Sequence, residues 1–207
     1  MAETADHQKS TRRRKIQAIL AGGTVLGIGA AVTLANWNDS VFAEGFFQSG
    51  AFNVEGSLDG DSYSEHDAAE NAAQLAFDAG ALNPGGTVSA PLWIRADAAT
   101  TVAGVIGSGG ITVDADGGNT EALSYSIYAL DADATCSDSP DGTPVATGST
   151  LDSSPDLTSD LTLNTGSGEA AGTAVQLCFV VDAAEEGFAQ ATETSAVWTV
   201  TATSVED

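Results

Sequence analysis

Few side chains in this sequence can make covalent or coordinate bonds. Cys136 and Cys178 are the only cysteines, and His7 and His66 the only histidines. Two thiols would fit a disulfide were the chain to enter an oxidising compartment. Closing a loop of about 40 residues would stabilise the fold by roughly 3–4 kcal/mol in the chain-entropy model. The alternative is two free thiols, with Cys178 in a core strand and Cys136 in a loop. A zinc site is disfavoured, because beyond residues 1–36, where His7 lies, two Cys and one His fall short of the usual four ligands. His66 lies between Glu65 and Asp67 in a polar stretch and reads as a solvated loop residue rather than a base. There is no H-E-x-x-H, no G-x-S-x-G elbow and no nucleotide-binding fingerprint. The glycines between Gly104 and Gly110 lack the Lys and the helix that a phosphate site needs.

Acidic turns are the other candidates. Asp114, Asp116, Asn119 and Glu121 crowd one short stretch, and Asp59/Asp61 and Asp131/Asp133 form similar pairs. Hard oxygen ligands suit calcium. The first stretch lacks EF-hand spacing, and acidic turns are common in a chain with 29 acidic residues. Solvated turns are therefore the first reading and calcium the second. No other cofactor is indicated.

The charge is unevenly placed. The formal net charge is −23, yet Lys9, Arg12, Arg13, Arg14 and Lys15 hold five of the six basic side chains. Without residues 1–36, one basic residue, Arg95, faces 27 acidic ones, and the net charge becomes −26. Such a body has no basic surface with which to hold nucleic acid or an anionic membrane.

After the basic head comes an apolar run from Ile16 to Ala35. A basic segment, an apolar segment and small residues near its end describe a secretory signal peptide. Thr33 and Ala35 would stand at −3 and −1 of the cleavage site, with Asn36 as a second end. The competing reading is an uncleaved anchor, since about 20 apolar residues can span a bilayer. In both readings the basic head stays inside and the acidic body is exported.

The stretch Gly27–Gly50 then carries a more specific pattern. A Gly/Ala-rich apolar segment is followed by Trp37-Asn38-Asp39 and by Phe47-Gln48-Ser49-Gly50. It resembles the signal region of the TasA/camelysin family, whose members are cleaved by a dedicated SipW-type signal peptidase. Leu82-Asn83-Pro84-Gly85 resembles that family's turn before a strand. The Asn/Gly turn that follows the strand in the family is replaced here by Ala96-Asp97-Ala98-Ala99. Some members have been classed as metallopeptidases, but this chain cannot supply the usual pair of His ligands. The resemblance implies an exported protein of a prokaryotic cell surface or biofilm matrix.

The elements that would position these residues read as strands. Val88, Ala90, Leu92 and Ile94 alternate, with Pro91 on the other face as a sign of an edge strand or bulge. Leu123, Tyr125, Ile127 and Ala129 alternate, as do Ala196, Trp198, Val200 and Ala202. Residues 173–182 are almost continuously apolar, as in a central strand. Residues 67–79 read as an Ala-rich helix, or as a strand around Leu75 and Phe77. The expected fold is all-β: a two-sheet antiparallel β-sandwich, jelly-roll or Ig-like, spanning residues 37–207 after a signal helix at 1–36.

Trp37, Val41, Phe42, Phe46, Phe47 and Phe52 make an aromatic N-terminal strand over residues 37–56. An extended apolar end can pair with an open sheet edge. In fibre-forming relatives this end completes the next subunit, so the resemblance implies self-association into filaments. The alternative is that it folds back as strand one of its own domain. The first functional reading is thus an exported, non-enzymatic structural protein. The second is a secreted binding module, with loops 137–150 and 152–172 as its face and calcium as its ion. An extracellular hydrolase comes third.

Overall fold

The computed structural model describes residues 12–17, 50–78 and 82–205. The chain divides into two units, Met1–Phe47 and Gln48–Asp207. In the first, residues 12–17 are helical and exposed. The expected cleavage residues Thr33, Ala35 and Asn36, and the aromatic-strand residues Trp37, Val41, Phe42, Phe46 and Phe47, lie outside the described residues. Among the described residues, no helix is long and apolar enough to cross a membrane.

In the second unit the described strands are, in chain order, β1 (Val54–Ser57), β2 (Thr87–Ala96), β3 (Gly104–Ile106), β4 (Ile111–Gly117), β5 (Leu123–Leu130), β6 (Ala146–Gly148), β7 (Leu161–Leu163), β8 (Val175–Ala183), β9 (Thr194–Val200) and β10 (Thr203–Ser204). Every pairing among them is antiparallel. One sheet runs β1-β2-β8-β5-β6; the others are β10-β3-β7 and β4-β9. The expected all-β class is what the structure shows. The inner face of the large sheet and side chains from both small sheets form one hydrophobic cluster that includes Ile94, Tyr125, Phe179, Ile106, Ile111 and Leu163.

The sequence patterns explain the positions. In β2, Val88, Ala90, Ile94 and Ala96 are buried and their neighbours are not, so alternation places one face on the core. In β8, six consecutive residues from Gln176 to Val181 are buried. The strand lies between β2 and β5, and its outer face is also covered. That cover is the segment between β5 and β6, fastened by the Cys136–Cys178 disulfide, Cα to Cα 5.3 Å. Trp93 Nε1 donates to the Ala132 carbonyl (2.7 Å) and Ser89 Oγ to Asp138 (2.7 Å), which fixes the segment over β2. The expected disulfide is thus present.

Two expectations need correction. Residues 67–78, the described part of that stretch, form no helix beyond a single 3-10 turn, Ala69–Asn71. Leu75 and Phe77 both pack on the core. Residues two apart share a face only in an extended chain, so burial of this pair overrides the helix propensity of the alanines. Pro91 does not mark an outermost strand, because β2 has neighbours on both sides. However, β1 pairs only with Trp93–Ala96. Pro91 stands in the half of β2 that has no β1 partner, where a missing N–H is tolerated.

Before β2, the Asn83-Pro84-Gly85-Gly86 turn closes with Gly86 N donating to Asn83 O (2.7 Å). Proline sets the first corner and Gly85, at φ +73°, the second, as a type II turn requires.

Candidate functional site

Between β1 and β9 the packing opens into a groove of about 670 Å³. Its floor is the inner face of the large sheet, with Leu92, Ile94, Phe179 and Val181. One wall is Val54–Gly56 of β1 and the other is β9. Thr194 through Trp198 all border the groove without a break. Successive strand residues point to opposite faces, so the groove follows the edge of β9 as well as its inner face. Among the described strands, β9 pairs only with β4, which leaves that edge unpaired. Residues 72–77 roof the opening, with Leu75 and Phe77 directed at the core.

Trp198 is the central side chain. Its ring lies 5.3 Å from Phe179, 5.7 Å from Tyr125 in an edge-on contact, and 6.3 Å from Phe77. Its indole Nε1 is buried and has no hydrogen-bond partner. A buried unpaired donor is unfavourable by about 1–3 kcal/mol, so this atom needs an acceptor that the described chain does not supply. Beside it, the Tyr125 hydroxyl donates to the Ser153 carbonyl, and burial pushes its pKa up to about 12.

The segment preceding β1 is pinned to its own domain. Ala51 O accepts from Thr101 N (2.9 Å) and Asn53 O from Asp97 N (3.1 Å). The buried Thr100 hydroxyl accepts from Asn53 N (2.9 Å) and has two acceptors for its single hydrogen, Asn53 O (2.9 Å) and Asp97 Oδ1 (2.8 Å). Asp97 accepts from the Thr100 N–H and from the Asn53 side-chain amide. The Thr100 hydroxyl, with Asn53 and backbone N–H groups, holds the Asp97 carboxyl below the usual range. Phe52 packs its ring against Gly104, where no side chain would fit. Of the aromatic strand expected over 37–56, the part from Ala51 onward is therefore paired within its own domain. Sequence reading missed this cluster, although the single Asp in Ala96-Asp97-Ala98-Ala99 was its trace.

Arg95 is fully engaged. It meets Glu55 of β1 at 2.6 Å and its guanidinium carbon sits 3.5 Å from the centre of the Tyr63 ring. Glu55 and Arg95 are cross-strand partners in register.

The remaining candidates are not drawn together. Asp114 and Asp116 are on the exposed face of β4, whereas Asn119 is buried and clamps Ala189 through both its amide groups (2.7 and 2.9 Å). Asp116 accepts from Gly117 N, and Glu121 lies in a 3-10 turn. Among the described residues, no three His, Cys, Asp or Glu form a group that could hold a metal. Asp59 accepts from Asp61 N, Ser62 N and the Ser57 hydroxyl, which drives its pKa well below the carboxylate range. His66 is exposed, with Nδ1 2.8 Å from Asn71 O and Nε2 3.2 Å from Ser64 Oγ. A backbone carbonyl, not a carboxylate, orients the ring, and the contacts fold the 64–71 loop back onto β1. Loop 137–150 starts beside the Cys136–Cys178 disulfide and ends in β6, paired with β5, while the end of loop 152–172 is held at the β2–β3 turn through Gly166 N to Thr100 O and Gly168 N to Ala98 O.

Comparison with protein-family models, with curated proteins and with solved structures finds no match to this chain.

Proposed function

We propose that this chain is an exported, non-enzymatic structural protein of the cell surface or extracellular matrix, a filament subunit resembling the TasA/camelysin family. Its body is a two-sheet β-sandwich with one position left open. The aromatic segment 37–49 of a second copy fills that position, after a SipW-type peptidase has removed the head near Ala35. The observation that carries this reading is the apolar groove along the unpaired edge of β9. An extended peptide there would gain ladder hydrogen bonds from β9 and place aromatic side chains on the groove floor. Such a head-to-tail contact does not close on itself and propagates as a filament. The disulfide, the basic head and the charge of the body fit an exported product.

The test uses the secreted protein. N-terminal sequencing with intact mass should give a start at Asn36 or Trp37 and a mass two hydrogen atoms below that of the reduced chain. Electron microscopy should show filaments, and Ala196→Asp, which puts a charge into the groove, should leave monomers. A protein that stays monomeric by light scattering at high concentration, from pH 4 to 7 and with calcium, would overturn the reading.

A further inference from the structure

We infer that residues 72–77 are a built-in plug that holds the groove until a strand displaces it; this rests on the strand-docking reading above. The segment lies where a closing strand would lie, but it is not one. Ala72 leaves the 3-10 turn with φ −54° and ψ 140°, and from there the chain runs without secondary structure to Asp78. Among the described residues, 73–77 make no backbone hydrogen bond to β1 or β9. The plug is held by the side chains of Leu75 and Phe77 on the cluster around Trp198.

That division of labour makes it replaceable. Apolar cover keeps water off Phe179 and Trp198, while among the described strands that edge of β9 stays unpaired and Trp198 Nε1 stays without an acceptor. A segment with few backbone hydrogen bonds opens locally at a small fraction of the global stability. An incoming strand supplies what the plug lacks: a ladder along β9 and a carbonyl for the indole N–H. The segment 37–49 is 13 residues long and β9 is seven, so the donor reaches the full edge. The plug therefore lowers the apparent affinity for the donor by the fraction of time the groove is open. It prevents premature assembly without abolishing assembly.

The test uses the full chain at a concentration where it is monomeric, with 5-fluorotryptophan at its Trp positions, and a synthetic peptide of the sequence of residues 37–49 as the probe. In the wild type the peptide should shift the fluorine signal of Trp198 and leave that of Trp93 in place, because Phe77 departs from Trp198 alone. The double substitution Leu75→Ser/Phe77→Ser should bind the peptide about tenfold more tightly, since the closed state is lost. Should the peptide protect β9 amides from exchange while Trp198 does not shift, the plug is refuted and strand docking survives. A peptide that binds neither protein removes strand docking and the plug with it. The wild-type fluorine spectra decide between these outcomes even if the double variant folds poorly.

Discussion

Arg95 is the last basic side chain before a long acidic body ends, and it is spent on holding β1. Its guanidinium bridges Glu55 and covers Tyr63, which ties the first strand to β2 and the 57–64 turn to both. Replacing Arg95 with Met leaves Glu55 facing only like charges. We expect a loss of about 1–2 kcal/mol in urea unfolding, because the pair is partly exposed. Arg95→Lys should recover less than half of it, since a single ammonium cannot both pair with the carboxylate and stack on the ring. The Asp97–Thr100–Asn53 cluster makes the same junction from the other end. Removing the Thr100 hydroxyl with Thr100→Val leaves the Asn53 N–H without its acceptor and should destabilise by about 1–3 kcal/mol. The Asp97 carboxyl is held below its ordinary range, so its contribution is present above the unfolded pKa of about 3.9 and is lost as pH falls through the lower folded value. The stability difference between wild type and Asp97→Asn should therefore be constant at neutral pH and shrink below about pH 4. A difference that instead persists to pH 2 would contradict the assigned role.

At the scale of elements, glycine and the disulfide decide how closely layers approach. Gly148 of β6 faces Tyr125 of β5 in register, and an added Cβ would collide with the Tyr125 ring. Because Tyr125 is buried and packed on Trp198, the ring cannot swing away. Gly148→Ala should lower stability by about 1–3 kcal/mol through overpacking, read as a fall in the thermal midpoint. Serine at both Cys136 and Cys178 should cost about 3–4 kcal/mol and make the 131–144 segment the first site of proteolysis. These elements differ in how visible they are in sequence. The alternations in β2, β5 and β9 announce strands with one buried face, and the unbroken apolar run in β8 announces a strand covered on both. Residues 67–79 mislead, because alanine favours helix while only the tertiary contact of Leu75 and Phe77 demands extension. The groove is not legible at all. It is a space between β1 and β9, which are 137 residues apart between the end of one and the start of the other, and no local pattern records a space between strands so far apart in the chain.

At the scale of the whole molecule, charge and groove oppose each other. The groove offers apolar area and an edge of β9 that is unpaired among the described strands, and both favour association. The body carries a net charge of −26 once residues 1–36 are removed, and its one cation is already paired within the domain. Adjacent copies therefore repel, and no basic patch relieves the repulsion. Between exposed carboxylates this repulsion is screened within about 8–10 Å at physiological ionic strength and falls as the groups protonate. On the proposed filament reading, assembly should accordingly have a threshold concentration that drops with added salt, with divalent cations and with acid between pH 7 and 4. Light scattering at fixed protein concentration would read the threshold. Monovalent salt and calcium should act in the same direction, with calcium effective at lower concentration because it carries two charges. A response to calcium with none to sodium chloride would point instead to a specific ion site. Filaments equally abundant in low salt at neutral pH would show that the acidic surface faces solvent throughout and serves solubility in a saline habitat rather than control of assembly.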